Sequence, residues 1–152
     1  MAEGRRHITQ AAELIQRGLT DNSFSPKRLE KYVKVLRLKS EIDRQEGELD
    51  EAILARLNAA FVQFYIQSRH GEFRLPRRLL SDVNALIEIA AHARYTARSQ
   101  SILASRVVRA LGQRALKRED LTAAVRELGF LELRYGPAVP GFPTISDFFR
   151  RP

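Results

Sequence analysis

The sequence predicts an all-α fold, a multi-helix bundle of five to six helices with at most one short C-terminal β segment and an extended tail. Two observations predict it. Apolar residues recur at i, i+3 and i+4 through successive long segments, and those segments are bracketed by Ser, Thr or Asp at their starts and Gly at their ends. Only one short stretch alternates apolar and polar residues in the manner of a strand.

The first segment, ITQAAELIQRG, reads as a short helix with Thr9 as N-cap and Gly18 as stop. The second, FSPKRLEKYVKVLRLK, places Ser25 at the cap and Pro26 at the first helical position, with Leu29, Tyr32, Val33 and Leu36 on one face and Gly47 beyond its end. The third, LDEAILARLNAAFVQFYIQSRHG, carries a stripe of Leu49, Ile53, Leu57, Phe61 and Phe64, opens on Asp50 and Glu51, which suit a helix N-terminus, and stops at Gly71. It is the strongest core candidate.

A fourth helix follows in LPRRLLSDVNALIEIAAHARYTARS, with Leu79, Val83, Leu86, Ile87 and Ala90 inward and an end near Ala97. Ser99 suits the cap of a fifth, QSILASRVVRALGQ, whose Ile102, Leu103, Val107 and Leu111 face the core and which ends at Gly112. In KREDLTAAVRELGFLELRYG, Gly129 reads as the stop of a short helix, and the alternating run Phe130 to Tyr135 reads as a strand or an extended segment. From Gly136 the chain reads GPAVPGFP, with three prolines and two glycines in eight residues, and cannot continue a helix.

Composition narrows the function classes. The absence of cysteine removes disulfides, thiolate zinc sites, iron–sulfur clusters and cysteine nucleophiles together. No apolar run approaches the ~20 residues a membrane helix needs, and MAEGRRHITQ lacks the apolar core of a signal peptide, so the expectation is a cytoplasmic protein with no membrane partner. The net charge of +8 favours a polyanionic partner.

That charge is segregated. Between residues 74 and 118 lie Arg74, Arg77, Arg78, Arg94, Arg98, Arg106, Arg109, Arg114, Lys117 and Arg118 against Asp82 and Glu88 alone, leaving 16 basic and 16 acidic residues in the rest of the chain. A solvated helix face needs no such segregation, and nine of the ten cations are Arg, which forks onto phosphate oxygens and stacks on bases. These ten residues are the expected nucleic-acid-binding set, for DNA or an RNA/DNA hybrid.

The C-terminal segment PTISDFFRRP puts Ile145, Phe148 and Phe149 at i, i+3 and i+4, where one helical turn starting at Thr144 gathers them into a hydrophobic plug. These residues resemble the sliding-clamp-interacting peptide, or PIP box, of archaeal replication and repair proteins. That motif has a glutamine, then an aliphatic residue three positions on and two aromatics three beyond it, often followed by basic residues. Ile145 matches the aliphatic position, Phe148 and Phe149 the aromatic pair, and Phe142 stands where the glutamine belongs. The resemblance implies a PCNA-like sliding clamp as partner, bound by Phe142, Thr144, Ile145, Phe148 and Phe149. The implied organisation is a basic helical domain at 1–135, a Pro/Gly tether at 136–143 holding the aromatics away from the body, and a clamp-binding tail at 144–152.

A second resemblance covers KYVKVLR, FVQFYIQSR and LPRRLLSDVNALIEIAAHAR, which are similar to the helical lid of the ATPase domain of minichromosome maintenance (MCM) helicases. It implies that Arg77 or Arg78 sits near the position of that family's sensor arginine.

Catalytic signals are lacking. There is no glycine-rich P-loop ending in Lys and Ser or Thr, and no nucleophile, base and oxyanion set. His7, His70 and His92 lack ligand spacing, and Asp43, Glu46, Glu48, Asp50 and Glu51 read as a solvated acidic turn. The expectation is a non-catalytic accessory protein of DNA replication or repair, without cofactor or metal, that joins an arginine-rich face for DNA to a tail for the clamp. Two alternatives stand beside it. One is a structural subunit of a larger replication enzyme (primase, polymerase or helicase complex) with its arginines facing protein; the other is a small DNA-processing enzyme with an unrecognised site.

Overall fold

Helix α3 (Leu49–Ser68) is apolar nearly all the way round, and burial on every side follows from that composition. In the computed structural model it is the central element, touching four others: α2 (Pro26–Gln45), α4 (Arg77–Thr96), α5 (Ile102–Leu111) and α6 (Leu121–Tyr135). A further helix, α1 (Ala2–Asp21), lies on the outer side of α2. The structure describes residues 2–21, 26–68, 77–96, 101–112, 121–139 and 144–146. Among them the protein is an all-α bundle of six helices without a strand. No helix among them is long and apolar enough to cross a membrane.

The expected inward positions of α2, α3 and α4 are inward, whereas Ile102 of α5, also expected to face the core, is 66% exposed. Leu29, Tyr32, Val33 and Leu36 of α2, Ile53, Leu57, Phe61 and Phe64 of α3, and Leu79, Val83, Leu86, Ile87 and Ala90 of α4 are all buried, with Leu49 partly so. Between α2 and α3 the chain reverses at Gly47, whose φ of 80° lies in the left-handed region that a side chain disfavours. The N–H of Glu48 then reaches back to the Asp43 carbonyl at 2.8 Å, closing the end of α2. Ser40 Oγ donates to the Ala52 carbonyl at 2.8 Å and fixes the two helices in register.

Two buried carboxylates fasten the helices. Asp82 of α4, fully buried, accepts from Arg37 Nε at 2.9 Å and Nη2 at 2.7 Å, and Arg56 Nη2 stands 3.2 Å from its Oδ1, so one acid joins α2, α3 and α4. Asp43, equally buried, accepts from Arg5 Nε at 2.8 Å and Lys39 Nζ at 2.6 Å, which ties α1 to α2. The hydrogen bond to Asp43 holds the Arg5 guanidinium still more firmly in its charged form. The solvated acidic turn expected at 43–51 is therefore corrected at its first member: Asp43 is an anchor, because Arg5 arrives from far along the chain to pair with it.

The C-terminal part departs most from expectation. Helix α6 runs unbroken through Gly129 to Tyr135, so the strand or extended segment expected at 130–135 is helical. A Cβ on Gly129 would lie 3.3 Å from Ile145 Cγ2 and Ser146 Oγ, so this glycine makes room for a crossing chain instead of ending the helix. After α6 the chain does not stand off as a tether over its described part. Ala138 and Val139 are buried, and the Ala138 carbonyl accepts from Gln16 Nε2 at 2.7 Å and from the Tyr32 hydroxyl at 3.4 Å. Residues 140–143 of the expected tether lie outside the described residues.

Candidate nucleic-acid interface

The arrangement of α5 and α6 follows from their buried faces. Ser101 caps α5, its Oγ accepting from the Ala104 N–H at 3.0 Å while it donates to Asp50 of α3. The expected cap, Ser99, lies outside the described residues. Burial of Leu103, Ala104, Val107, Val108 and Leu111 turns Ile102, Arg106 and Arg109 outward. On α6, burial of Ala124, Val125, Leu128 and Leu131 leaves Phe130, Leu133 and Arg134 exposed.

Between these two outer faces lies an open groove of about 510 Å³, lined by Arg106, Arg109, Glu127, Phe130, Leu131 and Arg134 among others. Three guanidinium groups and one carboxylate share this lining. Arg106 Nη1 donates to the Tyr135 hydroxyl at 3.3 Å, which joins α5 to the end of α6. Phe130 is 64% exposed, an unusual position for a phenyl ring in a bundle with a well-filled core. A smaller hollow of about 340 Å³ on α1 sets Arg5 and Arg6 against Glu13 and Glu46, so its charge is balanced.

Of the ten expected nucleic-acid residues, Arg106 and Arg109 are brought together. Arg78 and Arg94 are exposed at opposite ends of α4, 16 residues apart, which at 1.5 Å and 100° per residue is about 24 Å along the axis and about 160° around it. They share no face. Arg74, Arg98, Arg114, Lys117 and Arg118 and the side chain of Arg77 lie outside the described residues. Arg134 joins the groove although it lies beyond the basic stretch. In a helix Phe130 and Arg134 are an i, i+4 pair about 6 Å apart along the axis, close enough to serve one site, whereas a strand would set them about 13 Å apart.

Of the expected clamp-binding residues, Thr144 is half-buried and Ile145 is 1% exposed. The Ile145 N–H donates to Glu132 Oε1 at 2.6 Å. The expectation that the tail stands clear of the body is thus corrected at Ile145, which packs into the space left by Gly129. Phe142, Phe148 and Phe149 lie outside the described residues. Around α6, Gly129 and Glu132 lie about 140° and about 160° from Arg134 at 100° per residue, so Ile145 and the groove occupy different sides of one helix.

Among the described residues no group of three or more His, Asp or Glu side chains is placed to hold a metal ion. His7 and His92 are exposed and apart. No family model, curated protein or solved structure matches the chain, so the reading of the groove rests on its own chemistry.

Proposed function

We propose that this protein is a non-catalytic accessory factor of DNA replication or repair, acting in the cytoplasm on the nucleoid, that holds nucleic acid in the α5–α6 groove and a sliding clamp by its C-terminal tail. The observation that carries the first half is the convergence of Arg106, Arg109 and Arg134 beside an exposed Phe130. Arginines supply bidentate phosphate contacts, and an exposed ring supplies a stacking surface that solubility does not require. The clamp half is supported by the PIP-like spacing of Ile145, Phe148 and Phe149. Neither contact needs to be tight, because two weak contacts on one chain reinforce each other through effective concentration.

The groove is tested by comparing DNA affinity of the full chain with that of Arg106→Gln/Arg109→Gln/Arg134→Gln and of a control, Arg78→Gln/Arg94→Gln. The proposal expects the groove variant to lose binding at least tenfold and the control to lose much less. Equal losses would reduce the basic charge to a diffuse effect, and unaltered binding in both would remove the groove from the function.

A further inference from the structure

Resting on that reading of the groove, we infer that its ligand is single-stranded nucleic acid, with a base stacked on Phe130 and the adjoining phosphates on Arg109 and Arg134. Duplex DNA is read by convex elements whose side chains project into a groove about 12 Å wide. Here the cations line a hollow, and one of them, Arg106, is tied to the Tyr135 hydroxyl. Bases inside a duplex are already stacked on one another and have no face to offer Phe130. An unpaired base does, and its flexible backbone can follow cations set on two helices.

The apolar surface agrees. Leu133, 58% exposed, lies one helical turn from Phe130, so the rim of the groove continues as a strip suited to the flat face of a base. Glu127 within the lining matters too, because a carboxylate beside the path of the backbone disfavours the dense phosphate lattice of a duplex more than a single strand that can bend around it.

The sequence provides its own probe. The chain has no tryptophan, so Phe130→Trp places the sole indole at the groove, and its emission reports on stacking there. Titration of this full-length variant with a 15-nucleotide oligo-dT and with a blunt duplex of equal length gives the comparison. The inference expects saturable quenching by the single strand, with at least tenfold weaker binding of the duplex. In the unlabelled chain, Phe130→Ala weakens single-strand binding by about tenfold, as loss of one stacked base does, and Phe130→Leu fails to restore it. Phe130 is exposed, so the bundle tolerates these changes, and an unaltered circular dichroism spectrum checks that.

Equal affinity for duplex, or a Phe130→Ala chain that binds oligo-dT as the parent does, would overturn the single-strand assignment while leaving a phosphate-binding groove intact. Binding of neither nucleic acid would overturn both readings and point to an acidic protein surface as the occupant.

Discussion

The backbone N–H of Ile145 donates to Oε1 of Glu132 at 2.6 Å, with both residues buried. This bond and the gap over Gly129 fasten the start of the C-terminal tail to α6. It joins residues only 13 apart in sequence, yet the chain between them first visits Tyr32 and Gln16 through the Ala138 carbonyl. At Ile145 the chain is part of the fold.

Glu132→Ala removes the acceptor and leaves a buried N–H without a partner, which costs about 1–3 kcal/mol. Glu132→Gln keeps a carbonyl oxygen in the same place and is expected to lose less. Urea unfolding of the three proteins measures both.

Docking of Ile145 bears on the proposed clamp contact. A segment bound to its own body is available only for the fraction of time it is released, and apparent affinity falls by that fraction. Gly129→Leu is expected to push Ile145 off α6 and so to strengthen clamp binding by the full chain. Phe148→Ala/Phe149→Ala is expected to weaken it about thirtyfold or more, as loss of anchor aromatics does, with little effect on melting. Ile145→Ala is expected to cost about 2–5 kcal/mol of stability as a core truncation. Calorimetric titration into a clamp, beside thermal melts, separates these effects; a clamp that ignores all three variants would end the clamp reading.

Burial pushes the Tyr32 hydroxyl up to about 12 from the ordinary value of 10. The unfolded chain releases this proton first, so between pH 10 and 12 the folded state binds more protons and stability falls as pH rises. The contribution is complete below pH 10 and lost through pH 12, a change of about 2–3 kcal/mol for two pH units. Stability measured by urea at pH 9 and pH 11.5 is expected to drop less in Tyr32→Phe than in the parent.

Asp82 carries two arginines. Replacing it by Asn leaves Arg37 and Arg56 facing each other without the compensating charge, and burial already pulls the Arg56 guanidinium down from its usual range. The expected loss is about 3–5 kcal/mol, the scale of breaking a buried ion pair. Urea unfolding of Asp82→Asn measures it, and a loss below 1 kcal/mol would mean that water reaches the site.

Helix positions were legible wherever burial follows local periodicity. Leu29, Tyr32, Val33 and Leu36 could be placed on one face from their spacing alone, because a surface helix hides its apolar stripe whatever its neighbours are. What the sequence concealed depends on distant chain. Gly129 has the look of a terminator, and only the passage of Ile145 explains a glycine in the middle of α6. Asp43 sits among acids in sequence and is buried only because Arg5 and Lys39 reach it. Half of the candidate site was hidden in the same way. Arg106 and Arg109 belong to the basic stretch, whereas Phe130 and Arg134 join them through the packing of α6 beside α5.

The most direct test of the α5–α6 groove is fluorescence anisotropy of a labelled oligo-dT titrated with the full chain and with Arg106→Gln/Arg109→Gln/Arg134→Gln, from about 50 to 300 mM salt. Each phosphate neutralised contributes about 0.7 to the slope of log K against log salt for a single strand. With phosphates on Arg109 and Arg134, the variant is expected to bind at least tenfold more weakly, with a slope shallower by about 1.4. A variant with the parent's affinity and the parent's slope would contradict it.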